Sequence, residues 1–170
     1  LLASSAASDV YKRQENTVKV IKAKTAGFCF GVKRAVDTVY KQVDTKCGQI
    51  YTYGPIIHNE EVIKDMRDKG VIVLRSEEDL DMISQGTVII RSHGVEKRIY
   101  EKIEQKGLRI VDATCPFVKK IHNIVSEKSG EGFHIIIIGN PEHPEVVGIK
   151  GWAKDNVTVI QSAEDAECFT

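Results

Sequence analysis

The stretch FHIIIIG, residues 133 to 139, decides the fold. Four consecutive isoleucines leave no face for water, and the run is too short for an ordinary helix, so it reads as a strand buried on both sides. Strands of that kind, alternating with helices, make parallel sheets covered on both faces. The predicted class is α/β, with mainly parallel sheets sandwiched by helices.

Working upstream, PFVKKIHNIVSEKSGEG (116–132) reads as a helix with Pro116 at its first position and an apolar stripe of Phe117, Val118, Ile121 and Val125. Before it, LRIVDAT (108–114), TVIIR (87–91), VIVL (71–74), QIYTYG (49–54) and TVKVIKAK (17–24) read as strands. Helical segments separate them: EKRIYEKIEQKG (96–107), a short helix capped by Ser76, NEEVIKDMRDKG (59–70), and GVKRAVDTVYKQVDTKCG (31–48). The last carries Val32, Ala35, Val36, Val39, Tyr40 and Val43 on one face. Downstream, residues 157–160 read as a strand and Ser162 as a helix cap. The expected organisation is a first α/β domain over 15–115, including the leading strand and the Cys29 loop, and a second over 116–170, cut short at its C-terminal end. LLASSAASDVYKRQ (1–14) shows no periodicity that joins it to the rest and reads as a foreign or disordered segment.

Lys plus Arg (24) balance Asp plus Glu (24), so no net basic field exists to hold nucleic acid or an anionic membrane. No apolar run approaches the roughly 20 residues that cross a bilayer. Four cysteines spread through a chain that is 42% hydrophobic favour reduced thiols or metal ligands over a disulfide scaffold, and hence a reducing compartment, the cytoplasm.

The reactive side chains share one kind of position. Cys29, His58, His93, Cys115 and the His143/Glu145 pair each follow a strand and precede a helix. In open α/β sheets ligands bind at the carboxyl ends of strands, where helix N-termini favour anions. Each motif also has a plainer reading. A cysteine at a helix start is often only buried, His58 and His93 could lie on the surface, and GNPEHPEVVG (139–148) could be an exposed acidic loop. Lys33 and Arg34 read as a solvated face, with an answer to a bound anion as the other possibility. His122 and His134 read as structural, and Cys47 as a bystander.

Taken together, AGFCFGVKRAVD (26–37), GPIIHNEEV (54–62), RSHGV (91–95), VDATCPFVKK (111–120) and HPEVVG (143–148), in this order, closely resemble the 4-hydroxy-3-methylbut-2-enyl diphosphate reductase family. The resemblance covers nearly everything from about residue 18 onward. It implies three similar α/β domains around a [4Fe-4S] cluster on three cysteines, of which Cys29 and Cys115 match the first two. His58, His93 and His143 match the residues that hold the diphosphate of the allylic substrate, and Glu145 the carboxylate that helps deliver protons. The implied reaction is reductive dehydroxylation to isopentenyl and dimethylallyl diphosphates, with ferredoxin or flavodoxin as electron donor. Cys168 lies too close to Cys115 to match the third ligand, so the third cysteine and the third domain are expected to be missing and the fragment to be inactive. Two other classes fit the residues alone: a non-catalytic metal- or redox-binding α/β module, and a hydrolase with Cys115 as nucleophile.

Overall fold

A computed structural model describes residues 20–45 and 48–168. The elements run α1 (Phe30–Thr45), β1 (Ile50–Tyr53), α2 (Glu60–Asp68), β2 (Ile72–Leu74), α3 (Glu77–Asp81), β3 (Thr87–Ile90), α4 (Lys97–Gln105), β4 (Arg109–Asp112), α5 (Pro116–Gly130), β5 (Ile135–Ile138), α6 (Pro144–Lys150), β6 (Val157–Ile160) and α7 (Ala163–Glu167). Local chemistry sets the boundaries. The Asn59 side chain accepts from the Val62 N–H at the start of α2, Ser76 does the same for α3, and Ser162 with Asp165 forms a capping box on α7. Pro116 opens α5, where its missing N–H costs nothing.

Strands β1 to β4 form a parallel sheet in the order β2-β1-β3-β4. Its two faces are covered separately. Ala35, Val36, Val39, Met66 and Ile89 pack together on one side with Ile56 and Ile57, while Leu80, Val88, Ile90, Ile99 and Ile103 fill the other. Strand β3 contributes to both clusters, and each buried aliphatic side chain there stabilises the fold by about 1.5–3 kcal/mol. The chain steps from β1 outward to β2 and then returns past β1 to β3, so the strand order reverses between β1 and β3. A reversal of this kind leaves a crevice at the carboxyl ends of the two strands.

Strands β5 and β6 form a separate parallel pair, with Ile136 opposite Thr158 and Ile138 opposite Ile160. Two expectations change. Strand β5 alternates between half-buried and exposed, with Ile138 84% exposed, because among the described residues it pairs with β6 alone and packs against α5. Residues 20–24 of the expected leading strand are irregular and exposed; 17–19 lie outside the described residues. The parallel α/β class itself holds. No helix among the described residues is long and apolar enough to cross a membrane.

Candidate functional site

Three strand ends meet beside the crevice, and Ser92 ties them together. Its N–H and Oγ–H both donate to the Ile56 carbonyl, at 3.3 and 3.1 Å, and its own carbonyl accepts from the Cys115 N–H at 2.9 Å. Ser92 is buried, so these bonds are shielded from competing water. The loops after β1, β3 and β4 therefore hold fixed places relative to one another.

On this frame His58 and His93 stand with ring centroids 4.7 Å apart, and His143 meets His93 edge-on at 6.4 Å. Burial pushes the His93 imidazole down to about 4, with the charges of His58, Arg91 and His143 adding to the effect. At neutral pH His93 is an uncharged ring among cationic or potentially cationic neighbours, an environment that an anion would relieve. His143 is the N-cap of α6, and its Nδ1 accepts from the Glu145 N–H at 3.2 Å. In the neutral ring that bond leaves the proton on Nε2, a donor suited to a phosphate oxygen. Glu145 is half-buried in the first turn of α6, one residue past Pro144.

Both cysteines occupy N-cap positions. The carbonyl of Cys29 accepts from the Lys33 N–H at 2.9 Å and that of Cys115 from the Lys119 N–H at 2.9 Å, the first helical bonds of α1 and α5. A Cβ on Gly31 would lie 2.6 Å from the Cys115 Sγ, so only glycine lets α1 start against that sulfur. Cys29 is exposed, Cys115 half-buried, and both are free thiols. Cys168 caps α7 at its C-terminal end and is exposed, whereas Cys47 lies outside the described residues. Among the described residues no group of three or more His, Cys, Asp or Glu side chains could hold a metal ion.

Other residues behave differently from their sequence reading. Arg34 is half-buried and spans from α1 to the Cys115 junction, donating to the carbonyls of Thr114 (2.9 Å) and Asp112 (3.3 Å). Lys33 does stay on the surface, paired with Asp37. His134 lies at a hydrogen-bonding distance of 2.9 Å from Thr158 Oγ1. Sequence reasoning passed over Ser92 and read Arg34 as a solvated face. A small polar residue between a strand end and a histidine is the one sequence sign that could have singled out Ser92.

A family model described as LytB protein matches residues 20–170. Over 151 residues the chain is 47% identical to the 4-hydroxy-3-methylbut-2-enyl diphosphate reductase of Caldanaerobacter subterraneus subsp. tengcongensis and 50% identical to that of a Thermoanaerobacter strain. Each match covers 88% of this chain and 52% of the relative. Among solved structures, the E-1-hydroxy-2-methyl-but-2-enyl-4-diphosphate reductase of Plasmodium falciparum superposes with a TM-score of 0.80 at 32% identity, covering 86% of this chain and 46% of that one. A second, described as (E)-4-hydroxy-3-methyl-but-2-enyl diphosphate reductase, the terminal enzyme of the non-mevalonate pathway, gives 0.72 at 39% identity, with 86% and 52% covered. The chain spans about half the length of the curated relatives it matches.

Proposed function

The chain belongs to the LytB protein family, and from that premise we propose that it forms part of an iron–sulfur reductase acting on 4-hydroxy-3-methylbut-2-enyl diphosphate. The reaction breaks the allylic C–O bond, takes up two electrons and two protons, and releases water with isopentenyl or dimethylallyl diphosphate. The observation that carries this reading is the convergence of His58, His93 and His143 at the strand-order reversal, with the Cys115 N–H bound to the carbonyl of Ser92, the residue before His93. We assign the domain division to 15–115 and 116–170, the second opening at the first residue of α5. Free thiols favour a reducing compartment, the cytoplasm, and the electron need favours ferredoxin or flavodoxin as partner.

The donor set fits a [4Fe-4S] cluster in part. Cys29 and Cys115 are soft thiol donors at two helix N-termini, Gly31 lets α1 start close against the Cys115 sulfur, and no third ligand joins them among the described residues. When bound, such a cluster supplies the electrons and a Lewis-acidic iron for the hydroxyl. The protein's own residues do the rest. His143 offers an Nε2–H to the diphosphate, and an anion beside His93 would oppose the burial and cationic neighbours that hold its ring neutral. Glu145, in the same first turn as its capping histidine, delivers a proton to the departing hydroxyl.

Two measurements test this. Calorimetry with the diphosphate substrate should show binding that weakens about tenfold or more in His93→Ala, since hydrogen bonds to charged groups are worth about 1.5–3 kcal/mol. Anaerobic loading with iron and sulfide should need both Cys29 and Cys115. Stoichiometric zinc uptake in preference to iron would overturn the reading.

A further inference from the structure

Beneath the His93 loop, α5 meets the segment after α6 at a pair of stacked rings, one buried and one half-buried. His122 of α5 is 1% exposed and stacks on Trp152, with centroids 5.1 Å apart and planes 17° from parallel. Trp152, the chain's single tryptophan, donates its Nε1–H to the Val95 carbonyl at 2.8 Å and meets Tyr100 edge-on at 5.7 Å. Both rings bear on the turn that carries His93. Gly94 has a φ of +71°, and a methyl group added there would overlap Cε1 of His122 and come within 3.1 Å of Thr114 Cγ2. From the other side, Gly148 of α6 faces the backbone of His93 and Gly94, where an added Cβ would be in contact at 3.7 Å. A side chain at Gly151 would run into Glu96.

The pair differs from ordinary core. Neither ring belongs to the two apolar clusters of the four-stranded sheet. His122 Nε2 is buried with no hydrogen-bond partner among the described residues, an arrangement that costs stability. What the ring contributes is its flat shape against Gly94. His143 caps α6, whose last residue Lys150 lies two positions before Trp152, so a contact at Trp152 bears on the helix that carries a second of the three imidazoles.

We propose that His122 and Trp152 are positioning residues for His93, clamping Gly94 and Val95 so that its ring stays beside His58 and His143. The purpose of the clamp, to hold imidazoles ready for a diphosphate, rests on the function proposed above; the clamp itself does not. Histidine side-chain nitrogen NMR of the full chain, followed through a titration with inorganic pyrophosphate, tests both parts. In His122→Ala the His93 signals should shift and broaden and pyrophosphate affinity should fall about tenfold, as expected when a binding group loses its support. Trp152→Phe keeps a stacking ring but loses the bond to Val95, and should show a smaller change in the same signals. His122→Phe should restore the His93 signals. The proposal fails if both His122→Ala and Trp152→Phe fold with wild-type His93 signals and affinity. If His122→Ala does not fold, Trp152→Phe decides alone. Wild-type chain that ignores pyrophosphate would remove the diphosphate reading, while the His93 signals would still decide the clamp.

Discussion

Strands β3 and β5 are nearly alike in sequence, TVII against IIII, and opposite in circumstance. Every residue of β3 is buried, because β1 and β4 flank it and helices cover both faces. Among the described residues strand β5 pairs with β6 alone, and Ile136 and Ile138 are exposed, as are Phe117, Ile121 and Ile124 of α5. Apolar composition states what a strand can tolerate, while its neighbours settle what it receives. Stability is accordingly concentrated in the four-stranded region.

The largest expected effect breaks that symmetry of composition directly. Ile89→Ala should cost about 2–5 kcal/mol, the range for deleting a buried aliphatic side chain, whereas Ile138→Ala should stay within about 0.5 kcal/mol. Urea unfolding of the two variants measures the contrast, and equal losses would show that β5 is covered in solution.

Acid acts at the seam between the two regions. Burial pushes His122 down to about 4, below the ordinary value near 6.5, so the unfolded chain binds its proton first as pH falls. The cost of charging the buried ring is therefore absent above about pH 6.5 and grows as pH falls from there toward about 4, so acid destabilises the fold. His93 adds in the same direction. Urea midpoints at pH 7 and pH 4.5 should diverge less in His122→Phe, and an unchanged divergence would remove His122 from the acid response.

Arg34→Met should cost about 2 kcal/mol, because two partly buried carbonyls lose a charged donor. In the less covered region Ser162→Ala should cost only about 1 kcal/mol, the usual worth of a cap, read as the loss of amide protection in α7.

Much of this architecture is written locally. The apolar faces of α1, α2 and α4 and the strands β1, β3 and β4 follow from periodicity and from caps such as Asn59 and Ser76. The candidate residues were visible because His58, His93, Cys115 and His143 each stand just past a strand. What could not be read depends on contacts distant in sequence. Arg34 finds its carbonyl partners about 80 residues away, and nothing around RSHGV announces that His122 and Trp152 pack beneath it. The exposure of Ile138 belongs to the same class, since a strand's sequence does not encode how many neighbours it has.

The bonds made by Ser92 bear on the order of folding. They join Ile56, Ser92 and Cys115, so they close loops of 36 and then 23 residues, the first needing β1 beside β3 and the second β3 beside β4. Closing such loops is slow and uphill until the sheet rewards it. The meeting of imidazoles and thiol is thus a late product of the same cooperative step that builds the sheet, and a partly folded chain offers no rudimentary version of it.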